Sequence, residues 1–308
     1  MNAALAHARS LWGRWWFAPA AIPISFYTVI YAVGDLRGEH VLLTLAAIVL
    51  AYIGPRTKRL LVALLPLVVT GAAYDIVRYA RPIFVTPERV LGCELRAAEL
   101  KLFHAGPDTT FPDLFQRWHV PALDLFCSIP YAGYLYVAGA TGVYLYFKDQ
   151  PRMRHYLWSF AVANLLSYII WMVLPAAPPW YLHAHGCTID MSVKPSPAGL
   201  ARVDALLGIN YFGAFYTRAA SVFGAMPSMH CGYPMLGLFT AWRVAGWKAR
   251  SLHVFYAVWM FFSAVYLDHH WVLDAIAGWT VVFIAVTVTG YVLRRREAAV
   301  PPAEATPA

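Results

Sequence analysis

The sequence has 308 residues, of which 60% are hydrophobic and 16% aromatic against 13% charged. That is more apolar surface than one soluble core of this length uses, so the chain reads as a polytopic membrane protein. The formal charge of +8 is not gathered into blocks that would bind nucleic acid, and four cysteines are too few for a disulfide framework.

In chain order, apolar runs suited to crossing a bilayer, which takes about 20 residues, lie near 16–34, 40–54, 59–78, 119–147, 156–175, 228–247, 252–270 and 273–293. They predict an all-α, polytopic membrane helical bundle of about eight transmembrane helices. The second run is short and is expected to tilt little or only dip into the membrane. Arg9 and Arg14 precede the first run, which lacks a small-residue cleavage site and is expected to be a retained span. The expected organisation is an N-terminal hairpin over 1–54, a core of about six spans over 55–296 and a disordered Pro/Ala-rich cytoplasmic tail over 297–308.

Short cytoplasmic loops hold an excess of Lys and Arg. Eight spans place Arg9/Arg14, "RTKR" (56–59), Lys148/Arg152/Arg154, Arg243/Lys248/Arg250 and "RRR" (294–296) on one side, fourteen basic residues in tails and tight loops, against ten on the other. Both termini are then cytoplasmic, and the long segments 79–118 and 176–227 are extracytoplasmic. In the first of these, Leu91, Leu95, Ala98 and Leu102 recur at helical spacing between Glu88, Arg89, Glu94, Arg96, Glu99 and Lys101. This predicts a helix lying in the interface or, equally, a solvated surface helix. Cys93 and Cys187 share this side, so a disulfide between them is allowed but not indicated; Cys127 and Cys231 lie in apolar runs and read as packing residues.

"PAAPP" (175–179) cannot stay helical throughout and should end the fifth span, with Trp180 and Tyr181 at headgroup level as substrate-side anchors or as an ordinary aromatic belt. "GAMPSMHCGYP" (224–234) sets Pro227, Ser228 and His230 where the sixth helix starts, and a helix start offers unpaired amides to anions. In "DHHWVLDAIAG" (268–278), His270 and Asp274 are four residues apart and would share a helical face, so the carboxylate can hold one ring nitrogen and leave the other free. His269 would be turned about 100° away on the same helix. Each element alone has a bland reading, as an interfacial histidine or an ordinary helix pair. A zinc site built from His230, His269, His270 and Asp268 or Asp274 is formally possible, but no zincin spacing or cysteine pair accompanies it. Ionisable groups collected at one membrane face are costly unless used.

"PSMH" and the later "HWVLD" resemble the last two signatures of the type 2 phosphatidic acid phosphatase superfamily. "LPAAPPWYL" (174–182), "SPAGLARVDALLGIN" (196–210), "FGAMPSMHCG" (223–232) and "YLDHHWVLDAIAG" (266–278) resemble its fungal inositol phosphorylceramide synthase branch. The chain departs from the wider superfamily in having Ala264 where an arginine stands and Met229 where the central signature has glycine. Arg81-Pro82 lies two spans too early, with Tyr74 where a lysine would fall. The phosphate clamp of the phosphatases is thus missing, and Arg202 and Arg218 are candidates to replace it, unless either pairs with Asp204 or a headgroup.

The resemblance implies a transfer that needs neither metal nor cofactor. His270, held by Asp274, would attack a phospholipid donor such as phosphatidylinositol. His230 would act as general acid and then as base toward a ceramide-like acceptor, while Ser228 and the helix amides would stabilise the developing charge. The same residues acting on water would make a lipid phosphate phosphatase, and a silent transporter or scaffold is a further alternative. Nothing in the sequence specifies a partner subunit.

Overall fold

Prolines, short polar side chains and glycines set most of the helix boundaries. The computed structural model describes residues 3–34 and 36–299, so most of the Pro/Ala-rich tail lies outside the described residues. The chain divides into two compact units, Met1–Val68 and Val69–Ala308. The first holds α1 (Ala3–Trp12), α2 (Ala18–Ala32), α3 (Gly38–Ile53) and the start of α4 (Pro55–Phe84). The division falls inside α4, which runs unbroken for 30 residues. Within the first unit the Trp12 indole donates to the Ala51 carbonyl at 2.9 Å and the Tyr52 hydroxyl to the Trp16 carbonyl at 2.6 Å.

The second unit continues with α5 (Cys93–Leu102), a small hairpin of β1 (His104–Gly106) and β2 (Thr109–Thr110), α6 (Phe111–Arg117), α7 (Pro121–Lys148) and α8 (Gln150–Val173). There follow α9 (Pro179–His185), α10 (Leu200–Leu207), α11 (Tyr211–Tyr216), α12 (Met229–Ala241), α13 (Trp247–Tyr266) and α14 (Val272–Ala298). Proline opens α7 and α9 at a position that needs no amide donor. Asp149 caps α8 by accepting the Arg152 amide at 3.0 Å. As expected, α8 stops just before Pro175, since the residue before proline is pushed out of helical geometry.

All eight apolar runs fall on helices: α2, α3, α4, α7, α8, α12, α13 and α14. Among the described residues three are long and apolar enough to cross a membrane by length and composition: Pro55–Phe84, Gln150–Val173 and Val272–Ala298. These helices and their neighbours turn large apolar side chains outward, among them Phe147, Phe283 and Leu252, as a lipid-facing surface does and a water-facing one does not. The helix α12, only 13 residues long, packs against α7, α8, α13 and α14. It sits at the centre of the bundle, and its buried small residues Gly232 and Gly237 let its neighbours close in.

A layer of loops and short helices covers one end. Leu91, Pro175–Ala177 and Phe223–Ala225 hold one another through backbone bonds: Leu91 to the Pro175 carbonyl, Ala177 to Leu91, Ala176 to Phe223 and Ala225 to Ala176. Cys93 and Cys187 form a disulfide that fastens the start of α5 to the segment after α9. The stripe expected on α5 is buried only in part. Leu95 and Glu99 face inward while Leu102 is exposed, because the Glu99 carboxylate finds backbone donors in the interior.

Candidate active site

Ser228 opens α12 as expected: its hydroxyl oxygen accepts the Cys231 amide at 3.3 Å, and the amides of the first turn have no acceptor within their own helix. His230 thus sits at a helix end with a positive dipole. The start of α14 lies beside it. The Ser228 amide donates to the Asp274 carbonyl at 2.9 Å, and Gly278 packs directly on the Ser228 carbonyl, where a Cβ would overlap it. Only glycine permits this approach.

His270 and His269 are not on a helix. α14 begins at Val272, so both histidines occupy the turn that follows α13, which corrects the expectation of a shared helical face. The turn is made possible by Asp268 at φ 67°, a left-handed conformation, and both histidine amides donate to the Ala264 carbonyl at 3.1 Å. The buried Ala264 therefore provides backbone anchorage at the position where the wider superfamily has an arginine. The His270–Asp274 pairing survives in different geometry: Nδ1 of His270 lies 3.4 Å from the Asp274 carboxylate, which also accepts the Trp271 amide at 2.9 Å. On its other side, His270 Nε2 is 3.0 Å from His230 Nδ1. With the His270 Nδ1 proton directed at Asp274, Nε2 accepts and His230 Nδ1–H donates. His230 Nε2 is buried without a hydrogen-bond partner among the described residues.

His269 is held apart. Its Nε2 donates to the Pro197 carbonyl at 3.0 Å, and its ring stacks between Tyr131 and Tyr216 at centroid distances of 5.1 and 4.8 Å. Tyr131 also stacks on His230 at 4.6 Å. Among the described residues no group of three or more His, Cys, Asp and Glu side chains is arranged to hold a metal ion.

Behind the turn, His183 of α9 bridges two carboxylates, Nδ1 to Asp268 at 2.9 Å and Nε2 to Asp113 at 2.7 Å, and Arg96 reaches Asp113 at 2.9 Å. An imidazole that donates on both sides carries both protons. Burial pulls its pKa down, but Asp268 and Asp113 outweigh that and push it up to about 9. Burial raises the Asp113 carboxyl, yet His183, Thr110 and Arg96 prevail and hold it at about 2. Glu99 is fully buried against the start of α14, where burial pushes its carboxyl up to about 7 against the pull of two amide donors.

Of the other residues singled out from sequence, Arg202 pairs with Asp124, not Asp204. Its Nε and Nη2 donate to one Asp124 oxygen at 2.9 and 2.7 Å and its Nη1 to Gln116 at 3.2 Å. Asp204 accepts the Phe212 and Gly213 amides instead. Arg218 is exposed two residues beyond Tyr216. Trp180 donates its amide to the Asp268 carbonyl at 3.1 Å. Tyr181 is no headgroup anchor: it is fully buried, its hydroxyl donates to the Thr188 carbonyl and accepts the Asp190 amide. Sequence reasoning missed Glu99, Tyr131, Tyr216 and the His183 clamp; the tyrosines lie in apolar stretches where aromatic packing is the ordinary reading.

A helical bundle that brings two histidines into contact at a free helix end, one of them backed by a buried carboxylate, has the parts of a membrane phosphotransfer protein. The chain belongs to the PAP2 superfamily, whose domain matches residues 110–288. It is 31% identical over 248 residues to the phosphoinositol dihydroceramide synthase of Bacteroides thetaiotaomicron, covering 79% of this chain and 81% of that protein. It is 35% identical over 162 residues to the inositol phosphorylceramide synthase of Candida albicans, covering 51% of this chain and 34% of that protein. With the inositol phosphorylceramide synthase catalytic subunit of Saccharomyces cerevisiae the identity is 37% over 130 residues, 42% of this chain and 32% of that one. The match thus extends over most of the bacterial relative but only about a third of each fungal one. No solved structure matches. The chain is a membrane protein of this superfamily.

Proposed function

We propose that the chain transfers inositol phosphate from phosphatidylinositol to the primary hydroxyl of a ceramide-like lipid, by way of a phosphohistidine on His270. The observation that carries the reading is the chain of contacts from Asp274 through His270 to His230, at 3.4 and 3.0 Å. Asp274 fixes the His270 proton on Nδ1, so the Nε2 lone pair faces the phosphorus. For attack, the His230–His270 contact opens to admit the phosphoryl group. The N–P bond forms as the bond from phosphorus to the diacylglycerol oxygen breaks, and the imidazolium of His230 gives that oxygen a proton. Neutral His230 then takes the proton of the acceptor hydroxyl, whose oxygen displaces His270 from phosphorus. The cycle closes with His230 protonated again, and the amides that open α12 lie where they can bind the equatorial oxygens.

The names of the relatives support the choice of inositol phosphate as cargo and a sphingoid lipid as acceptor. Enclosure of the site supports an alcohol over water: His270 is 5% exposed and Asp274 wholly buried. We further propose eight spans, with both termini cytoplasmic and the two histidines on the opposite side. Basic loop residues support this orientation, and so does the Cys93–Cys187 disulfide, a feature of oxidising compartments. Mass spectrometry of products from purified protein given phosphatidylinositol, with and without ceramide, tests the reaction. An inositol phosphate-bearing sphingolipid formed only with ceramide is expected. Inositol phosphate released equally in both would make the protein a phosphatase.

A further inference from the structure

The first turn of α14 leaves the amides of Trp271, Val272 and Leu273 without acceptors in their own helix. Two carboxylates take all three. Asp274 accepts the Trp271 amide at 2.9 Å, and Glu99, from α5, accepts Val272 on Oε1 at 2.8 Å and Leu273 on Oε2 at 3.1 Å. Glu99 is fully buried, is 173 residues from Val272 in sequence, and lies outside the residues 110–288 that match the superfamily. A buried carboxylate is costly unless its oxygens are satisfied, and both of these are satisfied by the helix end that carries Asp274.

We propose that Glu99 is a positioning residue for the transfer reaction, capping α14 from another helix and so fixing Asp274 and His270 against His230. The inference rests on the reading of His270 as the reacting histidine. Two physical arguments support it. The His270–Asp274 contact, at 3.4 Å, is already long, so fraying of the first turn by a fraction of an ångström breaks it. In addition, the starts of α12 and α14 lie side by side, the Ser228 amide meeting the Asp274 carbonyl at 2.9 Å, and an open helix start attracts a phosphoryl oxygen. Glu99 fills the amides of α14 with its two carboxyl oxygens, which leaves the start of α12 as the end free to bind phosphate. The disulfide at Cys93 holds the start of the helix from which Glu99 projects.

The test compares full-length Glu99→Gln and Glu99→Asp with wild type, using phosphatidylinositol and ceramide in detergent micelles. Glu94→Gln, on the exposed side of α5, is the control. Glu99→Gln retains one acceptor oxygen and sets an NH2 group against an amide donor. It should lower kcat on the order of a hundredfold with KM for both lipids changed less than about threefold, and Glu99→Asp should recover part of the loss. In parallel, 15N-histidine spectra of ligand-free protein should show the His270 ring resonances moved in Glu99→Gln and those of His269 unmoved. Wild-type kcat in Glu99→Gln, a loss confined to KM, or unchanged His270 resonances would overturn the proposal. If Glu99→Gln does not fold, Glu99→Asp is judged by the same kcat and spectral criteria. The spectra need no turnover, so an error in the proposed reaction, seen as wild-type protein without transferase activity, is distinguishable from an error about Glu99.

Discussion

At His270, the proposed chemistry reduces to which nitrogen keeps its proton. Asp274 holds Nδ1 and His230 meets Nε2, so the three side chains should respond differently to removal. His270→Ala should form no phosphoenzyme from labelled phosphatidylinositol. His230→Ala should slow both half-reactions, and since acid or base assistance is typically worth about a hundred to ten thousand fold, a residue serving both belongs at the upper end. Asp274→Asn should be nearly as damaging, because the amide can point its NH2 group at Nδ1 and favour the wrong tautomer. His269→Ala is the comparison. Its nitrogen is tied to Pro197 and its faces to Tyr131 and Tyr216, so it should lose stability before chemistry and keep substantial activity. An inactive His269→Ala beside an active His270→Ala would reverse the assignment of nucleophile. The pair was visible in sequence from its four-residue spacing, although the reason given, a shared helical face, does not hold. A turn followed by a helix start brings the same two residues together by another path, with Ala264 as its anchor.

Between elements, the contact that matters most is the crossing of α14 on the start of α12. Gly278 packs there on the Ser228 carbonyl. Gly278→Ala should push the two helix starts apart and separate His230 from His270, costing about 1–3 kcal/mol in stability and at least about a hundredfold in kcat. Gly139→Ala, within α7 and with open space at its Cβ, should leave both unchanged; equal losses in the two variants would remove the significance of the crossing. The His183 clamp joins α5, α6, α9 and the histidine turn, and its sign follows from the raised pKa. A histidine pushed from 6.5 up to about 9 stabilises the fold fully below 6.5 and loses that contribution as pH rises through about 9. Melting temperature should therefore fall across that interval in wild type and fall less in His183→Gln; parallel profiles would show that the clamp does not govern it. None of this was legible in the sequence. His183 binds partners 70 and 85 residues away and Glu99 reaches across 173, while periodicity registers only neighbours within a few turns. Glu99 in particular reads as one charge among several on an interfacial or solvated helix, because a distant helix end leaves no mark on local pattern.

For the whole molecule, composition and hydropathy disclosed the bundle because lipid-facing helices must be apolar along their length, whereas the loops over the site fold by pairing segments remote from one another. The orientation across the membrane rests on basic residues in short loops and is open to direct labelling. Cys93 and Cys187 are joined and Cys127 and Cys231 are buried, so the native protein presents little thiol to a water-soluble reagent. Against that background, Lys194→Cys, exposed in the segment after α9, and Arg56→Cys, exposed at the start of α4, give opposite signals. In intact cells a membrane-impermeant maleimide should modify Cys at 194 and leave Cys at 56 untouched until the membrane is permeabilised. The reverse pattern would place the histidines on the cytoplasmic side. It would also set the Cys93–Cys187 disulfide in a reducing compartment, where such bonds do not ordinarily persist. Orientation and disulfide are therefore tested together, and the lipid leaflet that supplies donor and acceptor follows from the result.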